Sequence, residues 1–273
     1  MPFRFGPPTT MIRCQHEDSS LWTPGAAVEL SEGESNHLCA VMRAEAGAAV
    51  TLLDGRGGVA EAELSRPHKK RAEVVVRSVS RSAPPVPRRI LAQAVIRAER
   101  MDWLVQKAVE LGGVTEIWPL QTDWCVVRIP PADAERKADR WRAVAWAACK
   151  QSGNPWLPQI APPMRLDAAI ARLAGRAACF GALQPGAVPL PDCLTALRRA
   201  ACPELAVFIG PEGDFAPAEV SALLAAGVRP VTLGENVLRV ETASLFVLSA
   251  VKYVWLPSSS KPACPVSQPP SPC

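Results

Sequence analysis

The sequence predicts an α/β protein in which a mostly parallel sheet, with helices on both faces, follows a small β-barrel. Three observations carry this. Residues 1–83 hold short β-branched runs separated by glycine-rich turns. Pro84, Pro85 and Pro87 then interrupt the chain, so the segment APPVP reads as a linker. From 88 to 256 strand-like and helix-like patterns alternate, as they do where crossover helices join parallel strands.

In the first zone Ala49–Asp54 (AVTLLD) is a short apolar strand candidate running into the turn former Asp54-Gly55. Val59–Leu64 alternates in part, and Glu73–Val79 is β-branched. In the second zone Arg89–Ile96 reads as a strand. Arg100–Leu111 sets Met101, Leu104, Val105, Ala108 and Leu111 at helical spacing, and Gly112-Gly113 stops that helix. Val114–Leu120 is the next strand, and Ala132–Lys150 a long helix with Trp141, Val144, Ala145 and Ala148 on one side. Ala177–Leu183, Leu205–Ile209 and Arg229–Leu233 are further strands. Helical patterns fall at 165–174, 192–200 and 217–226, and Glu241–Trp255 closes as a helix. The third zone, 257–273, has six prolines and five serines. It has too little apolar surface to offset its ordering entropy and is expected to be a disordered tail.

Composition narrows the function classes. The chain has 273 residues, 48% of them apolar, which excludes a wholly disordered protein. The most apolar stretch, Ser244 to Leu256, is too short to span a bilayer and carries Lys252. The opening MPFRFGPPTTMIRC has neither the continuous apolar run nor the small-residue cleavage site of a signal peptide, so a cytoplasmic protein is expected. The nine cysteines form no C-x-x-C pair, which argues against a structural zinc or a disulfide framework. His16, His37 and His68 lie far apart in the first zone, so neither a metal site nor a Ser-His-Asp hydrolase is expected in the α/β part.

Charge is unevenly spread. The net charge is +4, yet Arg66–Arg100 holds ten Lys or Arg residues against Glu73 and Glu99. Such a stretch can bind a phosphate backbone by counterion release, or it can be a solvated strand edge guarded against aggregation.

Ligands of parallel sheets sit beyond the carboxyl ends of the strands, and two such ends stand out. The first is Ile209-Gly210-Pro211-Glu212-Gly213-Asp214, where glycines let backbone groups approach a ligand closely. The second runs from Leu233-Gly234 through Val237-Leu238-Arg239 to Glu241-Thr242-Ala243. Each also fits a plain turn, the second with Thr242 as helix cap and Arg239 and Glu241 merely solvated or paired. Neither is a dinucleotide or P-loop fingerprint. Gln151-Ser152-Gly153 reads more readily as a helix end with glycine beyond it than as a site.

Taken in order, these motifs resemble the ribosomal RNA small subunit methyltransferase E family, uracil-N3 methyltransferases of the SPOUT class. The similarity runs from about His37 to Tyr253. It includes His37-Leu38, Val41-Met42-Arg43, Leu53-Asp54-Gly55-Arg56-Gly57-Gly58 and Met101 through Gly112, as well as QSG, IGPEG and the LG…LR…ETA loop. The resemblance implies a PUA-like RNA-binding barrel over 1–83 and a SPOUT domain with a C-terminal trefoil knot over 84–256. It also implies a homodimer and S-adenosylmethionine as methyl donor. The cofactor residues it implies are Leu183, Ile209, Gly210, Pro211, Gly213, Leu233, Gly234, Val237 and Leu238. Arg239 is expected to orient the base and stabilise developing negative charge, with Glu241 or Glu212 as proton acceptor. Arg43, Arg56, Lys69, Lys70, Arg71, Arg88 and Arg89 are the expected contacts to small-subunit ribosomal RNA, free or in the assembled subunit. The chain departs from the family pattern at Asp214, Glu235-Asn236, Val240 and Trp124. The departures at Asp214 and Glu235-Asn236 motivate one alternative, a non-catalytic RNA-binding assembly factor, and a methyltransferase of the same class acting on transfer RNA is a further one.

Overall fold

The structure, a computed structural model, describes residues 12–182 and 186–256; Leu183 and the 257–273 segment lie outside them. The first unit contains β1 (Ile12–Gln15), β2 (Ala27–Glu29), α1 (Glu32–Asn36), β3 (Ala49–Leu53), β4 (Gly58–Arg66) and β5 (Glu73–Arg81). Its sheet runs β1-β3-β4-β5-β2. The period-two pattern shows why one face is inside. Val50 pairs with Ala62 and Ala62 with Val76, while Leu52 pairs with Ala60. All of these belong to one buried cluster with Cys14, Trp22 and Leu38. The intervening residues, such as Glu61 and Glu63, point outward.

The second unit begins at β6 (Arg88–Ala94), continuing through α2 (Ala98–Leu111), β7 (Val114–Gln121), α3 (Ala134–Ser152), β8 (Gln159–Ile160), β9 (Met164–Arg165) and α4 (Leu166–Ala171). Then come β10 (Ala177–Gly181), β11 (Val188–Pro189), α5 (Leu190–Arg199), β12 (Glu204–Ile209), α6 (Pro217–Ala225), β13 (Arg229–Thr232) and α7 (Val240–Val254). Its sheet order is β11-β13-β10-β12-β6-β7-β8, with β9 also beside β7 and every pairing parallel. Strands here are apolar without alternation because both faces are covered. Leu205, Val207 and Ile209 enter one core with α2, α3, α5 and α7, whereas Ala206 and Phe208 enter the other with α4 and α6. After β13, near one edge, the chain returns so that α7 packs against β6, β12, α2 and α5. Ser244 of α7 donates to the buried Gln93 side chain of β6 at 2.5 Å. Among the described residues no helix is long and apolar enough to cross a membrane.

Most elements lie within a few residues of their expected bounds. The exceptions are the early β1, β2, α1 and π-helical turn His37–Val41, in sequence with no clear periodicity, and the two-residue strands β8, β9 and β11, too short to show one. The segment around Thr242 is also corrected. The N-cap of α7 is Arg239, with extended backbone, and Thr242 lies inside the first turn.

The two units are locked together by side-chain and backbone contacts. Arg13 of β1 donates to the carbonyls of Lys150 and Gln151 at 3.1 and 3.0 Å, and Lys150 pairs with Glu34. Gly153 adopts φ 77 and donates to Cys149, closing α3. QSG is therefore a helix end held by Arg13. The LDGRGG loop meets the same region. Asp54 Oδ1 accepts from the amides of Arg56 and Gly58, and the amides of Gly57 and Leu157 bond across the seam to Pro155 and Gly55.

Candidate functional site

The carboxyl ends of β10, β12 and β13 open into a cavity of about 470 Å³, within the range of small-ligand sites. Both expected loops line it: Ile209, Gly210 and Pro211 from one, Leu233, Gly234, Val237 and Leu238 from the other. Their glycines are needed. Gly234 has φ +120, which other residues rarely adopt, and no atom would meet a Cβ there within 4 Å. Gly181 at the end of β10 leaves the third wall open. Asp214 sits at φ 67 and its carboxylate accepts from the amide of Phe215, so the turn after GPEG requires a left-handed residue and Asp supplies it.

Among the described residues one expected cofactor residue, Gly213, is not among those lining the cavity. Gly213 turns toward Trp124, whose ring would lie 3.5 Å from a Cβ on it. Leu183 is outside the described residues.

Two of the three expected catalytic residues, Glu212 and Glu241, come together around a residue not singled out from the sequence, and the third, Arg239, lines the same cavity. Arg100, in the first turn of α2, bonds Glu212 at 2.7 Å and also holds Glu241 through two nitrogens, one at 3.3 Å. It lines the cavity and ties the 209–214 loop to the start of α7. Burial opposes ionisation of Glu241, but the hydrogen bond and charge of Arg100 and a backbone amide outweigh it and hold the carboxyl below its usual range. Such a carboxylate is a weak proton acceptor. Arg239 differs: it is exposed at the cavity with no ion pair within 4 Å among the described residues, though its charge also favours the ionised Glu241. Arg100 was hidden in the sequence because it sat in a run of basic residues; its distinguishing feature is the acids it meets, 112 and 141 residues away.

The expected RNA contacts divide. Arg43, Lys69 and Arg71 are exposed with no acidic partner among the described residues, and Lys70 has only a 3.5 Å contact to Glu32. Arg56 is exposed at the seam between units, its backbone bridged to Trp156. Arg88 is held by both Glu116 and Glu204. Arg89 is a correction. It is 7% exposed, donates to the Gly112 carbonyl at 2.9 Å, and fills the space where a Cβ on Gly113 would fall. It cannot reach a phosphate from there, and Gly113 makes room for it. The linear basic run is thus not one patch, because Arg66, Arg77, Arg88 and Arg100 each meet acids.

Comparison with known proteins agrees with this geometry. The RNA methyltransferase domain family matches residues 83–252, and the RNA methyltransferase PUA domain matches 30–77. The ribosomal RNA small subunit methyltransferase E of Mycobacterium bovis is 30% identical over 231 residues, covering 83% of this chain and 86% of that protein. A methyltransferase from Legionella pneumophila, solved with its cofactor SAM bound, superposes with a TM-score of 0.80 at 31% identity, over 89% of this chain and 97% of that one. The ribosomal RNA small subunit methyltransferase E of Neisseria gonorrhoeae, bound to S-adenosyl methionine, also gives 0.80, at 29% identity over 90% and 98%. A PUA-like sheet, a parallel sheet with a ligand cavity at its carboxyl edge, and identity along nearly the whole length lead to one conclusion: the chain belongs to the RNA methyltransferase family, with the ribosomal RNA small subunit methyltransferase E proteins.

Proposed function

We propose that this protein transfers a methyl group from S-adenosylmethionine to N3 of a uridine in small-subunit ribosomal RNA, working as a homodimer with a knotted cofactor site. The observation that carries the proposal is the convergence of the 209–214 and 233–239 loops on one cavity lined by the exposed Arg239. The cavity suits the cofactor. Ile209, Leu233 and Leu238 offer apolar walls, the open glycines leave backbone groups within reach of a nucleoside, and Arg100, Glu212 and Asp214 offer both signs of charge for its zwitterionic end.

Bound there, S-adenosylmethionine supplies an already activated methyl group, so alignment is the main task left to the chain. Uracil N3 must lose its proton as the N3–methyl bond forms and the sulfur–methyl bond breaks. Arg239 orients the base and stabilises negative charge developing on the flanking carbonyl oxygens. Glu212 and Glu241 act through Arg100 to hold the two loops in register, and the proton leaves to solvent at the open mouth. N3 lies on the pairing edge, so the target base must be splayed out of its helix. Lys69, Lys70, Arg71, Arg43 and Arg56 are proposed to hold surrounding phosphates. Such a substrate locates the work where ribosomes are assembled, in the cytoplasm.

The test maps modified nucleotides in ribosomal and transfer RNA from a strain lacking the gene, before and after treatment with the purified protein. One 3-methyluridine in small-subunit RNA, absent in the mutant and restored in vitro, is expected. A transfer-RNA site, or no change in either pool, overturns the proposal.

A further inference from the structure

The segment after β7 is unusually well fastened for a loop. The Gln121 side chain accepts from the amide of Ile129 at 3.1 Å and donates to the carbonyl of Val127 at 3.3 Å. Arg128 turns back to donate to the carbonyls of Thr122 and Asp123. The Cys125 thiol is buried 3.1 Å from the Thr122 hydroxyl, and Glu219 of α6 accepts from the amide of Asp123 at 2.9 Å. Between the exposed charges of Asp123 and Arg128 this framework presents two apolar side chains: Trp124 is 48% exposed and Val126 71%. Trp124 rests on Gly213, between Glu212 and Asp214, which both line the cavity. Among the described residues no other aromatic ring packs on it.

A rigid loop holding a half-exposed indole at the rim of a reaction cavity is built for a flat apolar ligand. Charge near the ring is mixed, with Asp123 beside it, Arg128 folded back onto the same loop and Glu212 paired to Arg100, so the exposed flat face of the indole, suited to a base rather than a phosphate, sets the preference. We infer that Trp124 is a stacking platform for a nucleobase of the substrate beside the methyl-transfer site. This rests on the RNA methylation proposed above. Stacking on Trp124 offsets the cost of splaying the target region open, and its sequence tolerance leaves Arg239 to select the base.

Small subunits from the gene-deletion strain serve as substrate for the wild type, Trp124→Ala and Trp124→Phe. Alanine is expected to raise the KM for subunits about 5- to 150-fold, as loss of one stacked base does, with a smaller change in kcat. Phenylalanine is expected to recover most of the loss. S-adenosylmethionine affinity by calorimetry and oligomeric state by light scattering should match the wild type in both variants. An unchanged KM, a parallel loss of cofactor affinity, or a dimer that dissociates in Trp124→Ala overturns the inference, the last by assigning the ring to a second copy of the chain. A wild type that binds cofactor but methylates no RNA sinks the proposed function instead. Stacking is then decided by affinity for a uridine-containing single-stranded RNA, which Trp124→Ala must lower.

Discussion

Two glycine-rich regions of this molecule look alike as sequence and do opposite things. In LDGRGG the space at the glycines is filled: a Cβ at Gly55 would meet the Trp146 ring at 2.9 Å, and one at Gly57 the Trp156 ring at 2.4 Å. At the cavity Gly234 faces nothing within 4 Å. The first region uses the missing side chain to bring two folded units together, and the second uses it to leave room for a ligand. Glycine alone marks close approach; only the three-dimensional neighbour says whether the approaching group belongs to the protein.

Substitutions can sharpen that contrast. The largest effect is expected at the exposed cation of the cavity. Arg239→Ala should lower kcat about 100- to 1,000-fold, as losing one preorganised donor to a developing anion does, with little change in cofactor affinity by calorimetry. Wild-type turnover would remove Arg239 from the chemistry. At the seam, Gly57→Ala must push its methyl into Trp156 at φ +92. Overpacking of this kind costs about 1–3 kcal/mol, at roughly 2–4 °C of Tm per kcal/mol. Calorimetric melting should show the drop while cofactor affinity holds; an unchanged Tm would mean the seam yields freely.

Smaller effects are expected where Arg100 joins the cavity loops. Arg100→Met removes two partly exposed pairs, so S-adenosylmethionine should bind about 2- to 10-fold more weakly. Equal affinity would show that the loops hold their register without it. The smallest is a pH effect. The Glu241 carboxyl is held below its usual range, so its contribution to stability is complete above about pH 4.3 and is lost as pH falls through the lower folded-state value. Melting curves of the wild type and Glu241→Gln should differ at neutral pH and converge in acid. A gap that persists in acid would assign the effect to packing.

The longer strands and helices of the second unit are legible because both periodicities are strong there, whereas the two-residue β8, β9 and β11 are too short to carry a pattern. Leu205–Ile209 is apolar throughout because both faces are buried, and α2 carries a clean stripe ended by Gly112. The stretch before β3 was not, because its short strands and single π turn are shaped by the sheet they join rather than by local pattern. The site was legible as loops, since GPEG and LG…LR carry glycine and proline at strand ends. It was not legible as electrostatics. Arg89 and Arg100 look equivalent in the chain, yet one is buried beneath Gly113 and the other sits between two acids far away in sequence.

The most direct measurement is calorimetric titration of S-adenosylmethionine into the wild type, Gly181→Val and Gly57→Ala. A Cβ at Gly181 meets only ordinary contacts, at 3.4 Å from Ile209 and 3.8 Å from Leu233, so valine there should fold normally and project into the cavity. The expected result is one site per chain in the wild type and in Gly57→Ala, and binding abolished or strongly weakened in Gly181→Val with its Tm unchanged. Undiminished binding in a folded Gly181→Val protein would place the cofactor elsewhere and contradict the assignment of this cavity.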